Sequence, residues 1–498
     1  MKVISKKILL VLFVGVVLPR LCVIGSFPHM DEGYYIYYAQ LFWNAISTEG
    51  MLPDYGTLNL YSLLLSPLVA LPGNLFLWVR LFDLVVAVLM AALFYRCVER
   101  ESGESSLTPF LCLLCLLCMN AADCIDGGCK NSFFLAYLPL FGALLLSDQK
   151  TTVAFFGAGV LTALGVLVRE PFAIYAVVGV FAVFLGHGLK KAFWYCLGGI
   201  MTGICVIGIV ACFRGGIAGL AAAYLRSGSI IGAESGHVLT NALRGGWRCF
   251  VDFWPFLVVS VAGIVWSFRS KVELPRKKVY FWIALIVAPL PEIFGKISFL
   301  YHYSMMFPAI AGLDALCLAA SGKKVEQKRH KGEQLSCVLV IVLLVITVPS
   351  WEIVETVKLY QTYPTLTWSK DEKEQSNTLI AADHILRLGG TSLSVSGFMH
   401  FLYPATRKLP PKPGMDDLSR FFIFHALNHA ETLSDLVKNS PDIVAIGYTS
   451  PFENHVVMFT EDLRMILDHS GLYTLAAYVP LDETKDYGWI GCYIYRRK

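Results

Sequence analysis

Eleven runs of apolar residues dominate the first 350 positions of the sequence, roughly 8–27, 75–95, 107–122, 131–147, 152–168, 171–186, 192–212, 251–268, 279–294, 300–320 and 335–350. A helical crossing of the hydrocarbon core takes about 20 such residues, with a range of about 17–25. The pattern therefore predicts an α-helical polytopic membrane protein of about eleven transmembrane helices. Charge separates the two parts of the chain. It carries 41 Lys and Arg and 37 Asp and Glu, and 32 of these fall in the 148 residues from Trp351 onward. Residues 1–350 read as a membrane domain and residues 351–498 as a water-soluble one. With 56% apolar and 16% charged residues against about 25% charged in soluble proteins, the composition excludes a soluble enzyme, a disordered chain and a nucleic-acid binder.

The first run has no small-residue cleavage site, and Pro28-His29-Met30-Asp31 supplies none, so it is read as a retained span. With Lys2, Lys6 and Lys7 in the cytoplasm, alternating spans put 18 basic residues inside and nine outside. The basic loop Lys323 to Lys331 then lies inside, and the C-terminal domain lies outside, in the periplasm or its equivalent. The sequence has no Asn-x-Ser/Thr sequon, which favours a bacterial inner membrane over a eukaryotic lumen. External segment 28–74 contains no Lys or Arg, and its apolar stretches Tyr34–Trp43 and Tyr61–Leu71 suit helices lying in the interface. A second external segment, about 213–250, carries Arg214, Arg226, Arg244 and Arg248. In the tail, the apolar runs Asp442–Gly447, Leu472–Val479 and Trp489–Tyr495, with an amphipathic helical pattern at Leu418–Val437, indicate a small α/β domain. Cys112, Cys115 and Cys118, spaced by three, fit one packed face of an apolar helix better than a metal site. Cys124 and Cys129 are external and suited to pairing in an oxidising compartment.

Candidate chemistry gathers at the external face. Asp31 and Glu32 directly follow the first span in His29-Met30-Asp31-Glu32-Gly33-Tyr34-Tyr35. Carboxylates at a membrane face are costly to desolvate, so they are solvated, paired or used. Asp31 suits two compatible roles, a helix N-cap and a catalytic carboxylate. A second acidic pair, Asp123 and Asp126, ends the third span beside Gly127-Gly128, where loop solvation and a two-carboxylate site with Asp31 are both available readings. Cations share the face: Arg80 near the outer end of the second span, Arg169 in Val168-Arg169-Glu170-Pro171, and Lys296 shortly before Tyr301, His302 and Tyr303. These residues serve either as interfacial anchors or as a pocket for a phosphate or pyrophosphate, with Arg as a bidentate donor. Acids and cations beside apolar spans suit a substrate with an anionic head and a lipid tail. His29, Asp31, Glu32 and His302 lie on one side and are compatible with a divalent metal, although no tight ligand spacing calls for one.

The sequence resembles the GT-C superfamily of polytopic glycosyltransferases, most of all the branch of aminoarabinose lipid A transferases and protein O-mannosyltransferases. The resemblance rests on Asp31-Glu32-Gly33-Tyr34-Tyr35 with Ala39, Gly50-Met51-Leu52-Pro53, Pro67-Leu68 through Leu71-Pro72, Arg80-Leu81, Arg169-Glu170-Pro171, and Tyr301-His302-Tyr303 with Pro308. Members of that family take a sugar from a polyprenyl-phosphate donor outside the cytoplasmic membrane. The resemblance implies Asp31 as the catalytic base with Glu32 in support, Asp126 (or Asp123) as the second acid, and Arg80, Arg169 and Lys296 as ligands of the donor phosphate. The expected function is transfer of that sugar to a lipid, glycan or protein acceptor. Two rivals are an O-antigen polymerase or ligase, whose external Arg-rich loop segment 213–250 could imitate, and a secondary transporter, which would place charges near mid-span.

Overall fold

The computed structural model describes residues 6–24, 30–48, 60–103, 107–124, 132–222, 275–290, 304–325, 377–396, 399–411, 436–448, 454–480 and 491–498, with isolated positions between them. Short helices α1 (Lys6–Leu12) and α2 (Leu18–Val23) flank a π-helical stretch, Phe13–Val17, through helical dihedrals on both sides. Then come α3 (Met30–Thr48), α4 (Leu60–Leu65) with a 3-10 turn at Ser66–Ala70, α5 (Leu75–Ser102), α6 (Thr108–Cys124), α7 (Ser132–Ser147) and α8 (Thr152–Val168). A 3-10 turn at Glu170–Phe172 leads into α9 (Ala173–His187), followed by α10 (Leu189–Cys212), α11 (Arg276–Val287) and α12 (Phe307–Val325).

Three helical segments, Leu75–Ser102, Glu170–His187 and Leu189–Cys212, are long and apolar enough to cross a membrane, which marks the chain as membrane-associated. Shorter apolar helices include Thr108–Asn120, Phe133–Ser147 and Thr152–Val168. The expected run at 335–350 lies outside the described residues. Local chemistry sets the helix ends. Asn74 caps α5 by accepting the Phe76 and Leu77 N–H groups at 3.0 and 3.4 Å, and Gly103 ends it at φ +63°. Thr151 caps α8 by accepting from Ala154. Close helix approach depends on missing side chains. A Cβ at Gly159 would lie 1.9 Å from the Tyr195 carbonyl oxygen, and one at Gly198 would lie 2.2 Å from that of Phe156, so α8 and α10 pack backbone to backbone.

Cross-contacts show helices alternating in direction between two ends. The last turn of α5 meets the end of α7 through Arg100 and Asp148, the start of α8 meets the start of α10 through Thr152 and Lys191, and the end of α10 returns to α3 through Phe213 and Phe42, 6.0 Å apart. Cys112, Cys115 and Cys118 are buried thiols in the core, consistent with a packing role.

Helix α3 falls in the segment expected to hold interfacial helices, but its burial is of another kind. Ile36, Tyr37, Tyr38, Ala39 and Phe42 are all at most 1% exposed, so the middle of the helix is enclosed, while Ile46 near its end is 50% exposed. Part of its cover comes from the C-terminal region. That region has helix α13 (Asn377–Leu388), strand β1 (Leu393–Ser396), helix α14 (Leu402–Thr406), strand β2 (Ile443–Tyr448), helix α15 (Asn454–His469), and strands β3 (Tyr473–Val479) and β4 (Gly491–Arg497). The sheet order is β1-β2-β4-β3, with β1 and β2 parallel and the other pairs antiparallel. Alternation along β2 assigns its faces: Val444 and Ile446 pack with Leu463 and Leu467 of α15, while Ile443 and Ala445 belong to the core shared with α13, α14 and the helical bundle. The segment 418–437, expected as an amphipathic helix, lies almost wholly outside the described residues.

Candidate functional site

The first motif of the sequence resolves into a series of contacts. Glu32, in the first turn of α3, receives Arg80 of α5 in a bidentate pair, Nε to Oε1 and Nη2 to Oε2, both at 2.7 Å. The two side chains are only 1% and 2% exposed, and Arg80 Nη1 also donates to the Ile24 carbonyl at 2.9 Å. Burying two charges is costly unless the geometry is good and the donors are satisfied, as they are here. Three residues beyond Arg80, on the same face of α5, Asp83 accepts the Tyr61 hydroxyl at 2.9 Å on both carboxylate oxygens. One face of α5 therefore fastens both α3 and α4.

Gly33 is required by close approach. A Cβ there would lie 2.7 Å from the backbone nitrogen of Phe401, in the segment leading to α14. Tyr34 sits edge-on to His400 at 5.6 Å between ring centroids, and Tyr37 stacks on Tyr403 at 4.3 Å. Gln40 Nε2 donates to the Tyr403 carbonyl at 3.3 Å. Arg407 completes this joint by donating to the carbonyls of Val69, Leu71 and Gly73 at 2.9, 2.7 and 2.9 Å, where the 3-10 turn before α5 ends. The C-terminal region is thus attached to the turn of α3 that carries the acids.

Tyr35 leads to the cations. Its ring meets Tyr61 edge-on at 5.1 Å, and its hydroxyl lies 3.5 Å from Arg169 Nη1. Arg169 follows α8 in an extended conformation, and its guanidinium lies 3.8 Å from the centre of the Phe133 ring, a cation–π contact. Pro171 starts the next turn, and Glu170 accepts the Leu58 N–H at 3.2 Å. His302 is 4% exposed and packs edge-on to Phe133, with centroids 6.1 Å apart. Arg20, 3% exposed, lies over Phe134 at 4.3 Å.

Of the expected residues, Glu32, Arg80, Arg169 and His302 therefore lie among connected contacts at one end of the bundle. Asp31 occupies the first turn of the same α3, next to Glu32, and Asp123 the last turn of α6. Asp126, Lys296, Tyr301 and Tyr303 lie outside the described residues, as do Arg226, Arg244 and Arg248. Glu32 and Arg80, assigned from sequence to different tasks, are each other's partners. This pairing ties Arg80 to the start of α3. Among the described residues no three His, Cys, Asp or Glu side chains are grouped to hold a metal, and Glu32 commits both oxygens to Arg80. Asp83, Tyr61 and Arg407 were not singled out from the sequence. Asp83 was visible there as an acid inside an otherwise apolar helix, whereas Arg407 sits in the tail with no local signal.

No family model and no curated protein matches this chain.

Proposed function

We propose that this chain is an inverting membrane glycosyltransferase of the GT-C type, transferring a sugar from a polyprenyl-phosphate donor to a lipid, glycan or protein acceptor. The observation that carries this reading is the buried Glu32–Arg80 pair in the first turn of α3, connected through Tyr35 and Tyr61 to Arg169 at the same end of an apolar bundle. It makes a rigid mount for the neighbouring Asp31 beside a cation of the kind that recognises phosphate.

In this mechanism Asp31 takes the proton from an acceptor hydroxyl or amine. The acceptor attacks the anomeric carbon, its new bond to carbon forming as the carbon–oxygen bond to phosphate breaks, with inversion. Polyprenyl phosphate leaves as an anion, so Arg169 and Lys296 stabilise the departing charge and no general acid is needed. Asp126 supplies a second carboxylate to orient the acceptor. Tyr301, His302 and Tyr303 bound the donor head, and the prenyl tail lies between apolar helices. The reading places about eleven spans in a bacterial inner membrane, with the N-terminus cytoplasmic and the C-terminal domain periplasmic. His29 and His302 with Asp31 are compatible with a divalent ion, and activity before and after chelation decides its part.

The test is turnover of radiolabelled polyprenyl-phosphate sugars by purified protein in detergent. Release of free polyprenyl phosphate by wild type and not by Asp31→Asn, with donor binding retained in the variant, is the expected outcome. Wild-type release by Asp31→Asn removes the catalytic assignment. Failure of folded wild type to bind any prenyl-linked sugar favours a transporter, for which Asp314, buried within α12, is the leading carboxylate.

A further inference from the structure

A cleft of about 680 Å³ opens between α7, α8, α9, α11 and α12, within the range of about 300–1,000 Å³ typical of ligand sites. Its mouth lies at the end of the bundle opposite the Glu32–Arg80 pair. The walls are apolar, including Leu140, Phe141 and Trp282, and the inner end is closed by Tyr137 and Tyr175, whose hydroxyls both donate to the Met305 carbonyl at 2.5 and 2.8 Å. Around the opening, Phe181, Leu185 and Tyr280 are 60%, 66% and 66% exposed. Large apolar side chains left open beside an apolar cleft suit contact with hydrocarbon rather than water.

The mouth is charged, and positive charge is in surplus. Arg100, Lys277 and Lys278 line it against Glu101 and Asp148. Glu101, buried, accepts from Arg100 Nε and from Lys278 Nζ at 2.9 Å each, and Arg100 Nη1 reaches Asp148 at 2.5 Å. Lys277 meets the Leu185 carbonyl at 3.3 Å. Arg276, Lys277 and Lys278 fill the first turn of α11, which holds no acidic residue and is itself the positive end of the helix dipole. Cations concentrated over an apolar cleft complement a molecule with an anionic head and a hydrocarbon tail.

We propose that this cleft holds one acyl chain of an anionic glycerophospholipid, with its phosphate against Lys277 and the Arg100–Lys278 network. The inference rests on the membrane reading of the bundle and concerns a place separate from the proposed transfer site. The lipid would brace α9 against α11 and α12 at this end of the bundle.

Gly186 allows a clean test, because it lines the cleft and a Cβ built there meets no atom within 4 Å. Gly186→Trp therefore adds a large side chain to the cleft lining with no clash at its Cβ, and Lys277→Glu reverses a charge that is not engaged by a carboxylate among the described contacts. Detergent-purified full-length protein is incubated with phosphatidylglycerol or phosphatidylcholine and examined by native mass spectrometry, with thermal melting confirming that each variant is folded. Wild type is expected to retain one phosphatidylglycerol in preference to phosphatidylcholine, Lys277→Glu to lose the preference, and folded Gly186→Trp to lose retention. Equal retention of the two lipids by wild type, or unchanged retention by Gly186→Trp, overturns the assignment. Protein that stays monodisperse with no detergent overturns the membrane reading itself, a result distinct from either.

Discussion

At one end of the bundle Arg80 grips Glu32 with the two side chains 1% and 2% exposed; at the other, Arg100 holds Glu101 and Asp148, and Asp148 is 53% exposed. The ions are alike and the energetics are not. A buried pair cannot fall back on water, so removing one partner strands a charge in a low-dielectric surrounding. An exposed pair exchanges its partner for solvent at little cost. The buried joint therefore fixes geometry, in the turn that carries Asp31, while at the other end Glu101 is buried and only the Arg100–Asp148 arm is open enough to exchange its partner for solvent. That difference is the physical reason to place the chemistry at the first end and lipid contact at the second.

Arg80→Ala is expected to cost about 3–5 kcal/mol, because it leaves Glu32 buried without its counter-ion. Melting in detergent measures this, and a variant as stable as wild type would break the comparison. Gly33→Ala should cost about 1–3 kcal/mol through overpacking against Phe401, read as a lower melting temperature and faster proteolysis of the C-terminal region.

Asp442→Asn tests a third setting, a carboxylate held by backbone donors. Asp442 accepts the N–H groups of Thr391 and Ser392 at 2.7 and 3.1 Å and the Thr391 hydroxyl at 3.1 Å, joining the starts of β1 and β2. These donors hold its pKa down at about 2 against an ordinary 3.8. The folded-state value lies below the unfolded one, so the stabilisation is present above about pH 4 and is lost as pH falls towards about 2. Asp442→Asn should cost about 1–2 kcal/mol near neutral pH, and its difference from wild type should shrink across that acid window in pH-dependent melting. Asp148→Ala should change stability by less than about 1 kcal/mol, measured under the same conditions as Arg80→Ala.

Local signals in the sequence carried much of this architecture. Apolar runs coincide with helices such as Thr152–Val168 and Leu189–Cys212, because length and composition suffice to specify an apolar helix. Strands Ile443–Tyr448 and Tyr473–Val479 coincide with short apolar runs bounded by turn residues. Nonlocal facts were not legible. Insertion of β4 between β2 and β3 depends on pairing across the chain, and the enclosure of α3 depends on Phe401 and Tyr403 arriving from more than 350 positions away. Glu32 and Arg80 were each conspicuous as charges near apolar runs, yet nothing in their spacing showed that they satisfy one another. Asp31-Glu32-Gly33-Tyr34-Tyr35 is legible in the sequence as a cluster, whereas the contacts of Glu32, Gly33, Tyr34 and Tyr35 are not.

The most direct measurement compares the two ends in one assay. Release of polyprenyl phosphate from a labelled polyprenyl-phosphate sugar is followed for wild type, Asp31→Asn, Arg169→Ala and Asp148→Ala, each verified as folded. Loss of release is expected in Asp31→Asn, weakened release in Arg169→Ala, and wild-type release in Asp148→Ala. Wild-type release by Asp31→Asn, or equal loss in Asp148→Ala, would contradict that expectation.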